Sequence, residues 1–258
     1  MPSDYEPIVL EDGIVFDGGG NTLICDGDWS GLFTFIESDS TINVKIQNVT
    51  INLNGKQITS SNGGIIGSSV IRWGSGGTYV KYNITIENCH VIDGTINSYA
   101  GGIVGQGFSA SPDSNCVISG CSNTCALGQY SGGICGATCA RFGKLLVEYC
   151  SNTGDMSGNT RNGGIIGHNP SYTSTDGYLC VFNCYNTGAL GESSGGICRG
   201  GSNDGASVMI LNCYSTGAVP TTTTGEPSAT SSDIWGMIVA AYSTSSSSFQ
   251  PFVLNCDA

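Results

Sequence analysis

Positive charge is scarce in this chain. Eight Lys plus Arg stand against twenty Asp plus Glu, for a formal net charge of −12. Nucleic-acid binding is dominated by basic contacts to phosphate, and an anionic membrane surface recruits basic clusters. Neither partner is expected. The acidity reads first as a solubility device. No apolar run is long enough to cross a bilayer, so no transmembrane segment is expected. The opening residues Met1-Pro2-Ser3-Asp4-Tyr5-Glu6 carry neither a basic region nor an apolar core. No secretory leader is therefore read at this end.

Other absences narrow the chemistry. No stretch has helical periodicity with caps. There is no G-x-S-x-G elbow, no phosphate loop and no H-E-x-x-H. The calcium-binding phrase G-G-x-G-x-D is not met. The expectation is no cofactor and no metal. Asn48-Val49-Thr50 and Asn83-Ile84-Thr85 fit the glycosylation pattern, but both fall on expected strands.

What the chain has in abundance is glycine, 40 residues of 258, and cysteine, 13 residues. With 39% hydrophobic residues this composition describes a folded, β-rich chain rather than a disordered one. The glycines are ordered. The phrase Gly-Gly-Ile begins at Gly63, Gly101, Gly132, Gly163 and Gly195, so successive copies are 38, 31, 31 and 32 residues apart. A second phrase ends in cysteine: Ile84 to Cys89, Cys116 to Cys121, Leu145 to Cys150, Leu179 to Cys184, Val208 to Cys213 and Pro251 to Cys256. Three positions before the last cysteine stand Ile86, Ile118, Val147, Val181, Ile210 and Val253. Directly before it stand Asn88, Gly120, Tyr149, Asn183, Asn212 and Asn255. Ser-Asn-Thr or Tyr-Asn-Thr-type phrases follow.

A period near 31 residues is the signature of a solenoid, in which no unit buries its apolar face alone. The fold class expected is all-β: a single-stranded right-handed parallel β-helix of about seven coils, roughly 30–35 Å long at the strand spacing. It forms one domain over 1–258: N-terminal coils and cap at 1–60, the repeats at 61–219, and a C-terminal coil with Ser/Thr-rich loops at 220–258. Ile14 to Ile24 reads as two short strands joined by a Gly turn, and Ile42 to Leu53 as one alternating strand. The isoleucine columns point inward. The Asn column sits at a bend, with amides bonding from coil to coil. The corner glycines Gly102, Gly133, Gly164 and Gly196 provide positive φ or close backbone approach. Loops Gln106–Asn115, Ala137–Gly143, His168–Gly177 and Arg199–Ala206 occupy one point of the repeat. They are expected to project together as a binding face.

The phrases Gly102-Ile103-Val104-Gly105, Gly133-Ile134-Cys135-Gly136 and Gly164-Ile165-Ile166-Gly167 resemble the GLUG motif, with Ile for Leu. Asn183-Cys184-Tyr185-Asn186-Thr187-Gly188 and Asn212-Cys213-Tyr214-Ser215-Thr216-Gly217 resemble its second half. The likeness covers roughly residues 60–220. It implies a β-solenoid scaffold of microbial surface proteins and adhesins, and similar repeats occur in large DNA viruses of protists.

The cysteine column Cys89, Cys121, Cys150, Cys184, Cys213 and Cys256 is read as a ladder of buried small hydrophobes. An odd total leaves at least one thiol unpaired. The lack of a leader favours a reducing compartment. Cys121/Cys125, Cys135/Cys139 and Cys180/Cys184 have a spacing zinc accepts, although alternation and bends produce that spacing too.

The leading expectation is a non-enzymatic structural or attachment module. Its setting is a virion component assembled in cytoplasm, or a cell-surface adhesin if a leader has been removed. Its partners are neighbouring proteins or glycans. A homo-oligomer could form through the uncapped C-terminal end. The alternative is a carbohydrate-active enzyme. That reading needs Asp113, Asp176 and Asp204 to converge near His168, Arg141 or Arg199. The competing reading of these aspartates is routine turn chemistry.

Overall fold

A computed structural model describes residues 5–35, 40–68, 81–170, 177–200, 207–218, 238–240 and 252–257. Among these residues there is no helix, and every registered strand pairing is parallel. The largest sheet has 13 strands. Strands far apart in sequence lie side by side, an arrangement compatible with a parallel β-helix.

The strand Ile42–Asn52 is the branch point. Its first half pairs with Tyr82–Glu87 and its second half with His90–Ile92. Asn48, at φ 57°, bends the strand between the two halves. One series then runs through Asn115–Ser119, Lys144–Glu148, Tyr178–Phe182, Ser207–Leu211 and Phe252–Leu254. The other runs through Ser122–Asn123, Ser151–Asn152, Tyr185–Asn186 and Tyr214–Ser215.

The register is the one the repeated columns imply. Ile46, Ile86, Ile118, Val147, Val181 and Ile210 are successive cross-strand partners, and all are fully buried. Each buried Ile or Val contributes about 1.5–3 kcal/mol relative to exposure. Alternation explains the choice, since residues two apart share a face. A one-residue slip would turn the whole column to solvent.

The expected bend column is made by left-handed backbone. Asn48, Asn88, Gly120, Tyr149, Asn183, Asn212 and Asn255 all have φ between 50° and 64°. Asn and Gly adopt this left-handed conformation at least cost. An amide link between repeats in this column is seen from Asn88 to Asn48, 3.4 Å apart. Gly120 then interrupts the amides.

Two other expectations change. Val15–Ile24 is one strand with an irregularity between Asp17 and Asn21, not two strands around a turn. Both halves pair with Ile42–Asn52, so the strand follows its neighbour's bend. Asp17 holds the irregularity by accepting hydrogen bonds from Gly19 N, Gln47 and Asn48. The loops Gln106–Asn115 and Ala137–Gly143 do not simply project, while 171–176 and 201–206 of the other two lie outside the described residues. Phe108, Cys139 and Ala140 belong to the core. Tyr82 stands 5.7 Å from Phe108 and accepts a 2.8 Å hydrogen bond from Ser109 N on its hydroxyl.

Candidate functional site

The Gly-Gly-Ile corners bridge one another in parallel: Gly63 to Gly101, Gly101 to Gly132, Gly132 to Gly163, and Gly163 to Gly195. Gly102, Gly133 and Gly164 do not have positive φ. They are glycine because other atoms occupy the space a side chain needs. A Cβ at Gly133 would fall 2.6 Å from Cβ of Asn152 and against the carbonyl oxygen of Gly164. Gly102 and Gly164 face Asn123 and Asn186 in the same way. Gly196 supplies the carbonyl that crowds Gly164.

Those asparagines form a ladder inside the protein. Asn123 Nδ2 donates to Asn152 Oδ1 at 2.8 Å, and Asn152 Nδ2 to Asn186 Oδ1 at 2.8 Å. Asn186 Nδ2 ends the series on Ser215 Oγ at 3.3 Å. All four residues have no solvent exposure. Each amide also bonds the backbone two residues on, at Cys125, Gly154 and Gly188. The Ser-Asn-Thr phrase carried this signal, since the repeated Asn sits two residues after the column cysteine.

The cysteine column lines the adjacent bend. All thirteen cysteines are free thiols, and Cys180 and Cys256 are the two that are not fully buried. The backbone N–H of Cys150 meets Sγ of Cys184 at 3.4 Å, that of Cys184 meets Cys213 at 3.4 Å, and that of Cys213 meets Cys256 at 3.3 Å. Cys89 N and Cys121 stand 3.5 Å apart. The thiols of Cys121, Cys184, Cys213 and Cys256 therefore fill space and also receive an amide that the bend has turned away from a carbonyl. Burial pushes the Cys116 and Cys125 thiols up to about 12 and holds Cys150 well above the ordinary thiol range. Such thiols are poor nucleophiles and poor metal ligands. Cys180 and Cys184 straddle the sheet, one partly buried and one fully buried. Among the described residues no group of three or more His, Cys, Asp or Glu is placed to hold a metal ion.

The most varied side-chain chemistry lies two residues before each corner. Ser61, Tyr99, Tyr130, Arg161 and Ser193 occupy this position, all with φ between 54° and 68°. Their stacking follows from the glycine bridges. The Tyr99 and Tyr130 rings stack at 4.8 Å and 12°, and His168 lies 5.0 Å from Tyr130 on a tilted plane. Arg161 Nη1 donates to the Tyr130 hydroxyl at 3.1 Å, with its guanidinium carbon 5.8 Å from the ring centre. His168 pairs across strands with Arg199, which is 2% exposed and donates to the carbonyl of Gly200. Burial, then Arg199 and Arg161, push the imidazole of His168 down to about 4. It is neutral at neutral pH. Stacked phenols, a guanidinium and a neutral imidazole suit recognition of hydroxylated ligands by stacking and hydrogen bonding. The sequence showed this position only as a fixed offset with changing residues.

Of the candidate aspartates, Asp113 alone lies among the described residues. Asp113 sits in an exposed turn at φ 62° and pairs with Lys81 at 3.1 Å. Asp176 and Asp204 lie outside the described residues, as do 220–233 and 243–250 of the Ser/Thr-rich loops. Arg141 stands 5.0 Å over the Phe142 ring.

Compared with protein-family models, curated proteins and solved structures, the chain matches none of them.

Proposed function

We propose that the chain is a non-enzymatic structural or attachment module: a right-handed β-solenoid of about seven coils, built on GLUG-type repeats. It holds neighbouring proteins or glycans in an assembly, with a virion component the leading setting. The observation that carries this reading is how its reactive side chains are used. Four of the six column thiols receive backbone amides, the buried asparagines bond one another, and Asp113 pairs with Lys81. Chemistry that an enzyme would present to substrate here holds one repeat to the next. The Tyr99–Tyr130–His168 stack supplies a surface suited to a glycan or a polar protein loop.

Fractionating the native source by density gradient tests the proposal. The protein is expected to sediment with a particle or envelope. Recovery as a free protein that turns over a polysaccharide would overturn it.

A further inference from the structure

The outward face of the longer strand series changes character along the stack. Its early strands present polar groups joined across the repeats. Asn83 Nδ2 donates to Asn43 Oδ1 at 3.0 Å, and Lys45 pairs with Glu87 at 2.9 Å. From Lys144–Glu148 onward the pattern ends. Leu146, Cys180, Met209 and Phe252 are successive cross-strand partners, and all four point outward. Beside this row run Phe182 and Leu254. Phe252 is 57% and Leu254 49% exposed. A continuous apolar face of this kind on a chain of net charge −12 marks an interaction surface.

The charges at its border indicate the occupant. Strand Lys144–Glu148 places a cation at one end, an apolar residue in the middle and an anion at the other end, all on the outer face. That order is complementary to its own reverse. Across a two-fold axis along the Leu146–Cys180–Met209–Phe252 row, Lys144 would lie over Glu148 of the partner subunit. The apolar row would meet itself. A homodimer interface has this composition, with an apolar, charge-depleted core and ionic groups at the rim. Elsewhere the surplus of acidic groups would oppose contact between copies.

We propose that this half-face is the interface between two copies of the chain, packed sheet on sheet about that axis. The proposal rests on reading the chain as an assembly module and names its partner as a second copy. The two are separable, because self-association of the purified chain tests the face whether or not a native particle is found. The symmetry sets Cys180 against the partner subunit's Cys180, and this thiol is one of the two not fully buried. Packed sheets lie about 10 Å apart, too far for a direct disulfide, so a bis-maleimide with a spacer of roughly that length would join the copies. Each thiol adds across one maleimide C=C, its proton passes to the neighbouring carbon, and two C–S bonds form.

The test is sedimentation velocity of the full-length chain over a dilution series, with cross-linking of wild type, Cys180→Ser and Cys256→Ser. A dimer is expected. Its bis-maleimide cross-link should be lost in Cys180→Ser and kept in Cys256→Ser. Met209→Glu should weaken the dimer about tenfold or more while leaving the circular dichroism spectrum unchanged. A monomer at all concentrations overturns the proposal, and that includes one whose own C-terminal segment covers the face. So does a dimer that Met209→Glu leaves intact. A cross-link that depends on Cys256 instead would place the contact at the end of the stack and also overturn it. If Met209→Glu fails to fold, the cysteine pair decides.

Discussion

The side-chain amide of Asn152 donates to Oδ1 of Asn186, 2.8 Å away, and neither residue has any solvent exposure. The same Asn152 accepts from Asn123, bonds the carbonyl of Gly154 and accepts from its N–H. Buried amides fully engaged in this way specify register, because a shifted repeat leaves each of them without a partner. Asn152→Ala removes four hydrogen bonds and strands Oδ1 of Asn186 and the N–H of Gly154. It should cost about 2–4 kcal/mol in urea unfolding. Asn152→Asp should cost more at pH 7 than at pH 5. Its buried carboxylate regains a proton, and with it a donor, as the pH falls. Equal stability of Asn152→Ala and wild type would show that the ladder contributes nothing.

Gly133→Val should be more damaging than a valine at an exposed glycine. Any side chain at Gly133 meets Cβ of Asn152 and the carbonyl of Gly164, both held by the ladder and the corner bridges. Gly158 has open space around its Cβ direction and serves as the control. The expected difference in unfolding free energy is about 3 kcal/mol or more. A soluble Gly133→Val protein with wild-type thermal unfolding would contradict the close-approach account.

Eleven of the thirteen thiols are fully buried, and for Cys116, Cys125 and Cys150 among them burial also raises the proton affinity. Titration with a thiol reagent at pH 8 should find Cys180 and Cys256 reacting in the native protein, and all thirteen after unfolding without reductant. Fewer in the unfolded protein would reveal disulfides and argue against a reducing compartment.

His168 makes folding stability depend on pH in a defined window. Its folded value is depressed from 6.5 to about 4, so the unfolded chain takes up the proton first. Stability contributed by the neutral ring is complete above about pH 6.5. It is lost as the pH falls toward 4, by at most about 3 kcal/mol. Wild type should therefore lose more stability than His168→Gln between pH 7 and pH 4.5. Parallel loss in both proteins would remove the imidazole from the account.

The period and the columns were legible in the sequence because alternation and recurrence are local properties. Ile86, Ile118 and Val147 announce an inward face wherever the strands end up. They also fix the register once the strands stack. The reason for each corner glycine could not be read this way. Glycine suits both left-handed backbone and tight contact, and only the position of Asn152, from the far side of its own repeat, decides between them. The buried asparagines were visible as a repeated letter, yet polarity alone would place them outside. The stacked backbone satisfies their amides and makes burial affordable. The Tyr99–Tyr130–His168 stack joins residues from three repeats, and the apolar outer face joins side chains of four strands. No window of sequence contains either one. The chain's own letters determined that it repeats and which side of each strand is buried. How one repeat sits on the next was decided by tertiary structure, because those contacts bridge about 30 residues that only parallel stacking brings within a strand spacing of each other.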